Sequence, residues 1–531
     1  MLPSTDYRRT WIPRPDKISE GLDAALEYVV GGYRRSQRFR AELERAAESI
    51  HASGMKAAKL TDRQLKIGLA ESRDAVRRSG PGMARVVEEA LPYVAEAASR
   101  TVGLKPYPVQ IMAALALDRG YLAEMATGEG KSLTAAIAGV MAGWSGRPCH
   151  ILTTNDYLAG RDAWEFNSLY RYCGLTAGAV VGELDPAKRK ELYGHDVVYT
   201  TSKELLADFL RDRIYLGQLH HPQRRLLREI LEPYRRIGDG VVLRGIDTAI
   251  IDEADSVMID EAVTPLIIST QQENQWLVDA TNAAGGLVNL FESDDYTIDQ
   301  KYREIEFKET GLDRLAEMST ELPPIWRGAS RREEIMRQAL VARQFYHLDQ
   351  HYVIQDGKIV IVDEFTGRLM HSRSWGNGLH QAVEAKEGLE LTAPTETLAR
   401  LSFQRFFRLF RRLSGMTGTA KEASAEFWHI YRLPVISIPT HRPLIRDHLP
   451  PAYFQRADDK WQSILQEIEQ IHGQGRPVLV GTRSVNSSRM IADLLDHACI
   501  PYRLLNATHH ADEATIIKQA GQGQKITIAT N

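Results

Sequence analysis

The run Glu124-Met125-Ala126-Thr127-Gly128-Glu129-Gly130-Lys131-Ser132-Leu133 places two glycines, a lysine and a hydroxyl in the order that a polyphosphate requires. Glycines let backbone N–H groups turn toward phosphate oxygens with no Cβ in the way. A helix that starts at the lysine points its positive end at the anion. On this reading Thr127, Gly128, Glu129, Gly130, Lys131 and Ser132 bind the nucleotide: Lys131 reaches the β- and γ-phosphates and the Ser132 hydroxyl takes a Mg²⁺ position. Met125 stands where a small residue is usual. A second run, Thr248-Ala-Ile-Ile-Asp252-Glu253-Ala-Asp255, is an apolar strand ending in acids. Such a strand presents its acids at the carboxyl edge of a sheet, where open α/β sheets bind ligands. Asp252 suits the Mg²⁺ shell through water, and Glu253 suits the base that orients or deprotonates an attacking water. Upstream, Gln110 carries an amide that can donate to and accept from adenine. The chemistry these residues fit is Mg²⁺-dependent ATP hydrolysis, with Lys131, Asp252 and Glu253 as the catalytic set.

These groups need a scaffold that brings distant strand ends to one edge. Short β-rich runs at 121–125, 177–181, 197–201 and 248–251, with 149–162 reading as strand then helix start, alternate with helical stretches, the pattern of a parallel, doubly wound sheet. Before it, residues 17–103 read as charged helices. Between 271 and 367 the alternation breaks. Asp356-Gly357 sits between two β-rich runs, a strong hairpin signal. The chain is expected to leave the sheet after Leu266-Ile267-Ile268 and to return through 360–365, Val360 to Phe365, so that two adjacent crossings carry an inserted unit. Residues 398–413 read as one Arg-rich helix with Phe403, Phe406, Phe407 and Phe410 on a stripe. From 433 a second αβ alternation begins, with strands at 477–482, 502–506 and 525–530. The expected division is 1–103 helical, 104–270 continued at 368–432 as the first nucleotide-binding unit, 271–367 inserted, and 433–531 as the second unit.

The bulk composition excludes several classes. The 531 residues are 43% hydrophobic and 25% charged, ordinary for a globular chain of about three to four domains. A net charge of −3 argues against bulk nucleic-acid binding. Cys149, Cys173 and Cys499 show no paired spacing, which fits a reducing compartment and offers no zinc site. The start has no apolar core of a secretory signal, and no apolar run is long enough to span a bilayer. Arg34, Arg35, Arg38 and Arg40 suit either a solvated helix face or an anionic lipid surface. Residues 213–245 look like an insertion. Leu226, Leu227, Ile230 and Leu231 there make an apolar helix face that either packs on the parent unit or docks a partner, and Pro233 ends it. His220-His221 lacks further metal ligands at sensible spacing.

The runs MATGEGKS, TTNDYLAGRD, IDEADSVMIDEAVTPLIIS, IVDEFTGRLMHSRSWGNGLHQAVEAKEG, FFRLFRRLSGMTGTA, VLVGTRS and AGQGQKITIATN resemble the SecA family of preprotein-export ATPases. The similarity runs from about residue 57 to the end. It implies an α/β fold of tandem RecA-like domains, of the P-loop, superfamily-two helicase type, with an inserted α+β substrate-binding domain and a helical N-terminal segment. It implies ATP and Mg²⁺ as cofactors, unfolded preproteins and a Sec-type membrane channel as partners, an anionic membrane surface, and a homodimer, with nucleic acid not favoured. The implied location is cytoplasmic, at the inner face of the cell membrane. Thr417 and Thr419 of GMTGTA are expected to link the γ-phosphate to domain closure. Two positions depart from the family: Gly160 replaces a usual Gln, and Val263 replaces the Arg of an ion-pair gate whose acid, Asp260, is kept. The sequence stops at Asn531 inside a run that the family continues, ahead of its arginine-finger motif, helical scaffold and zinc-binding tail. The expectation for these 531 residues is nucleotide binding with slow hydrolysis. The rival readings are a nucleic-acid helicase and a nucleotide-gated polypeptide-binding regulator without motor activity.

Overall fold

A computed structural model describes residues 30–32, 37–79, 83–220, 222–231, 240–271, 275–300, 303–318, 324–355, 357–362, 369–370, 374–376, 378–392, 395–505, 516–517 and 519–530. Arg34, Arg35, Pro233, Asp356, Phe365, Asn506 and Asn531 lie outside the described residues.

Three amphipathic helices, Gln37–Ala57, Asp62–Ser79 and Ala84–Val102, bury one stripe each: Leu43, Ala47 and Ile50; Leu65, Leu69 and Val76; Val87, Leu91, Val94 and Ala98. Those stripes share one hydrophobic cluster with the helix Lys131–Trp144. That helix is buried on every side from Leu133 to Trp144. The reason is its position between the sheet and the N-terminal helices, and small residues permit the approach. A Cβ on Gly139 would lie 2.8 Å from the Tyr170 hydroxyl.

The sheet is parallel and seven-stranded, in the order Val435–Ser437, Leu122–Glu124, Arg412–Thr417, Thr248–Ile251, Cys149–Thr153, Val197–Thr201, Ala177–Ala179. Its central strands are buried along their length, as a sheet covered on both faces requires. A second cluster, including Leu152, Val198, Ile251, Phe406 and Phe427, covers the face opposite the Lys131–Trp144 helix.

Three expectations need correction. Residues 398–413 are not one helix: they divide into the strand Thr395–Ser402, the short helix Phe403–Phe407 and the strand Arg412–Thr417. Thr395–Ser402 pairs antiparallel with Pro265–Gln271 from end to end, with a register shift at Leu398, and Ser402 caps the helix by accepting from the Arg405 N–H. Long-range pairing overrides the helical spacing, while the phenylalanines still pack together, Phe406 against Phe410 at 5.3 Å. The return crossing is therefore Thr395–Ser402 and not 360–365. Lys358–Val362 instead belongs to a three-stranded antiparallel sheet with Tyr352–Gln355 and Leu369–Met370; the turn residue Gly357 has φ 73°, and Gln355 pairs with Lys358. Finally, Val435–Ser437, read as the start of the second unit, completes the first sheet against Leu122–Glu124.

The inserted segment has its own core of Phe291, Tyr296, Trp326, Met336 and Leu340, and a smaller one around Tyr352, Ile359 and Val383. The helix Leu379–Lys386 packs with Gln275–Leu287 and Ala329–Phe345 of this segment. The second αβ unit has a parallel sheet ordered Val478–Thr482, Ile526–Thr530, Arg503–Leu505, with Ile468, Leu495 and Ile528 in its core. No described helix is long and apolar enough to cross a membrane.

Candidate nucleotide site

Strand ends position the candidate residues. Leu122–Glu124 runs into the turn 125–130, and the helix begins at Lys131, so its first N–H groups have no intrahelical acceptor. Met125 is buried, its side chain in the core behind the turn and its N–H donating to the Thr417 carbonyl at 2.9 Å. Gly130 is required twice over: its φ is +83°, and a Cβ there would lie 2.2 Å from Gln110 Nε2.

Gln110 is buried and both ends of its amide are engaged. Oε1 accepts from the Tyr107 N–H at 2.9 Å, and Nε2 donates to the Glu129 carbonyl at 2.9 Å. One N–H hydrogen and one lone pair remain for a base. Glu129 turns its carboxylate away from the turn: Oε2 accepts the His441 N–H at 3.0 Å. Thr127 Oγ1 lies beside Gly418 of the GMTGTA turn.

Asp252 and Glu253 follow directly on Thr248–Ile251. The Asp252 N–H extends the ladder to the Leu152 carbonyl at 2.8 Å. Burial pushes the Asp252 carboxyl up to about 6, against the pull of the Lys131 cation. Glu253 has φ +48°, a left-handed conformation that costs a non-glycine residue on the order of 1–3 kcal/mol, and its N–H donates to Asp252 Oδ1 at 3.1 Å. Its Oε1 forms an ion pair with Lys131 Nζ. Lys131, Asp252 and Glu253, far apart in sequence, thus meet at one sheet edge.

Four groups around this edge received no role from the sequence. Asp162, from the TTNDYLAGRD run, is buried, paired with Arg161 at 2.6 Å and near Ser132. Burial pushes its carboxyl up, with Arg161 opposing. Asp255 accepts from the Thr417 hydroxyl at 2.7 Å and from the Thr419 hydroxyl. Burial acts to raise that carboxyl, but the bonds from Thr419 and Thr417 hold it below the usual carboxylate range. Tyr107 and His441 stack with ring centroids 3.7 Å apart. Asp162 and Asp255 lie within the runs TTNDYLAGRD and IDEAD, but the Thr417 and Thr419 partners of Asp255, like the pairing of Tyr107 with His441, come from distant parts of the chain.

The donor set fits Mg-ATP. Ser132 and Asp252 offer hard oxygens, and Mg²⁺ takes only one or two protein ligands when phosphates supply the rest. Among the described residues no three acid, histidine or cysteine side chains form a closed metal cage. Elsewhere, Val263 and Asp260 are exposed, and in the helix Pro222–Leu231 the side chains of Leu227, Ile230 and Leu231 are exposed rather than packed on the parent unit.

Comparison with known families agrees over nearly the whole chain. Residues 29–428 match the SecA DEAD-like domain and residues 443–531 the SecA P-loop domain. Protein translocase subunit SecA 2 of Chlorobium chlorochromatii is 45% identical over 533 residues, covering 100% of this chain and 80% of that protein. SecA 2 of Magnetococcus marinus is 43% identical, covering 97% of this chain and 80% of that protein. The SecA subunit of Neisseria gonorrhoeae is 38% identical over 94% of this chain, which spans 53% of that longer protein. The chain, with its α/β fold of tandem RecA-like units, belongs to the SecA family.

Proposed function

We propose that this protein is a SecA-type ATPase motor that couples ATP binding and hydrolysis to the movement of unfolded preproteins through a Sec-type membrane channel. The observation that carries the nucleotide half is the meeting of Lys131, Asp252 and Glu253 at the edge where the helix Lys131–Trp144 begins. Gly128, Gly130 and the helix start cradle the phosphates, with Thr127 and Glu129 completing the turn. Lys131 leaves Glu253 for the β- and γ-phosphates. Glu253, so released, orients and deprotonates the attacking water. Mg²⁺, held by the Ser132 hydroxyl and through water by Asp252, would neutralise charge on the phosphate oxygens. Gln110 reads the base with its remaining donor and acceptor. Thr417 and Thr419, bonded to Asp255 three residues from Asp252, carry the state of the γ-phosphate into the strand Arg412–Thr417.

The inserted segment is the proposed preprotein-binding domain. Its support is physical: its two crossings form a two-stranded ribbon whose outer edges pair with no other described strand. An extended polypeptide adds to such an edge through main-chain bonds, with little demand on its sequence. The proposed setting is the cytoplasmic face of the membrane, in contact with anionic lipid, as a homodimer. The unit boundaries are proposed with the insertion extended to residue 394, because 395 opens the return strand, and with the second unit beginning after Val435–Ser437, which pairs in the first sheet.

The test is ATPase stimulation. An unfolded, signal-bearing preprotein should raise turnover, and single-stranded RNA should not. Stimulation by RNA alone would establish the helicase reading, and nucleotide-dependent polypeptide binding with no turnover would establish the regulator.

A further inference from the structure

The contact between Tyr107 and His441 joins three parts of the molecule. Tyr107 caps the helix Pro108–Asp118, whose Gln110 bonds both the Tyr107 N–H and the carbonyl of Glu129. His441 lies on the Tyr107 ring, centroids 3.7 Å apart and planes 21° from parallel, and its N–H donates to Glu129 Oε2 at 3.0 Å. His441 opens the extended segment 441–456, which leads to the helix Ala457–Gly473 of the second αβ unit. That segment is held loosely elsewhere: Ile445 is 92% exposed and Tyr453 89%.

We infer that the purine ring of the nucleotide takes the face of Tyr107 that His441 covers in this structure, so that base binding displaces His441 and frees the segment 441–456 from the P-loop. The inference rests on the nucleotide reading above and adds to it the element that competes with the base. Three observations favour it. Gln110 and the Glu129 backbone fix the base end of the site within one helical turn of Tyr107. Tyr107 is 46% exposed and is the aromatic face at that end. His441 is exposed, so it can leave without opening a core. Magnitudes decide the competition. An aromatic pair of this kind is worth about 2- to 12-fold in an equilibrium constant. A base on an aromatic ring is worth about 5- to 150-fold. The larger purine therefore wins Tyr107, and His441 lowers the apparent affinity only by the cost of its removal. Displacement also breaks the His441–Glu129 bond, which gives the second unit a signal that the base is bound.

The test uses the full chain, ADP and inorganic tripolyphosphate, which lacks a base. His441→Ala should tighten ADP binding by about 2- to 12-fold, the worth of the lost stack, and leave tripolyphosphate affinity unchanged. In the unaltered protein, the His441 ring protons should show an upfield ring-current shift from Tyr107 by NMR. ADP should abolish that shift and tripolyphosphate should preserve it. Unchanged or weaker ADP binding by His441→Ala, or a ring-current shift that survives saturating ADP, would overturn the inference. Failure of both proteins to bind ADP would overturn the nucleotide reading itself, and this inference with it.

Discussion

The seven-stranded sheet and the ribbon of Pro265–Gln271 with Thr395–Ser402 are joined by short stretches of the same chain, yet they expose different chemistry. In the sheet, Cys149–Thr153, Val197–Thr201 and Thr248–Ile251 are wholly buried, and the backbone is consumed by its ladders. What the sheet offers is the side chains at its carboxyl edge: Glu124, Asp252, Glu253 and Thr417. Even Glu124 is committed, accepting from the Lys421 N–H at 2.8 Å and from the Ser437 hydroxyl. The ribbon reverses this. It has two outer edges without a described partner strand, and exposed apolar side chains at Ile267 and Leu398. What it offers is main-chain N–H and C=O. A site made of side chains is specified residue by residue, and a site made of backbone tolerates many sequences on both sides. That division suits the proposed motor, which would recognise one nucleotide and many polypeptides.

The sheet edge should therefore be fragile to single substitutions. The largest effect is expected from Glu253→Gln, which keeps shape and hydrogen bonding but cannot take a proton. Turnover should fall about 10²- to 10⁴-fold, while ADP affinity stays within about 2-fold because the phosphate contacts remain. Single-turnover hydrolysis and equilibrium binding separate the two, and a variant that hydrolyses ATP at the starting rate would remove Glu253 from the mechanism. Next comes Lys131→Ala. Truncating one partner of a buried, charged hydrogen bond costs about 2–5 kcal/mol, so mant-ADP affinity should fall by at least about 30-fold. Retained affinity would place the phosphates elsewhere.

The same division explains what the sequence disclosed. The turn at 125–130 and the acids after Thr248–Ile251 were legible because strand, glycine turn, helix and terminal acids are local patterns. Residues 398–413 were misread because the phenylalanine spacing is satisfied by a five-residue helix, while the strand before it is dictated by Pro265–Gln271, more than a hundred residues away. His441 was silent, and Asp162, though inside the TTNDYLAGRD run, received no role, for the same reason. An acid in a helix and a histidine before a proline-containing segment acquire meaning only once folding sets them beside Ser132 and Tyr107. The second unit was read one strand too early because Val435–Ser437 looks alike in either sheet; only its pairing with Leu122–Glu124 assigns it.

The ribbon's side of the comparison is tested by excision. Gln271 and Thr395 are paired partners, so removing 272–394 and joining them through a two-residue Asn-Gly turn requires no backbone rearrangement at the junction. Nucleotide affinity should remain within about 2-fold, since the Lys131–Glu253 pair is made by residues outside the removed segment. Binding of an unfolded preprotein should fall at least about 10-fold, because a two-stranded ribbon without the body it carries is marginal. Crosslinking at equal protein concentrations reads the second quantity. Equal yields would take the polypeptide site off the removed body and leave it on the retained ribbon or elsewhere.

The smallest effect expected is the sharpest test of the contrast. Ile267 sits mid-ribbon opposite Arg400 and is 48% exposed. Thr is also β-branched, so Ile267→Thr preserves strand propensity and every main-chain donor and acceptor while removing apolar surface. If the ribbon binds through its backbone, preprotein affinity should change by less than about 2-fold and stability by no more than about 0.5 kcal/mol, as for other exposed positions. Denaturant midpoints and fluorescence anisotropy of a labelled unfolded preprotein measure both. Ile250 provides the control at the sheet: it is buried, and Ile250→Thr replaces a packed ethyl group by a hydroxyl, which costs about 1–3 kcal/mol for burying the hydroxyl and more for the cavity left by the lost carbon. A large affinity loss for Ile267→Thr with stability unchanged would mean that the ribbon reads side chains after all, and the distinction between its two kinds of surface would fail at the one place where only the backbone was expected to matter.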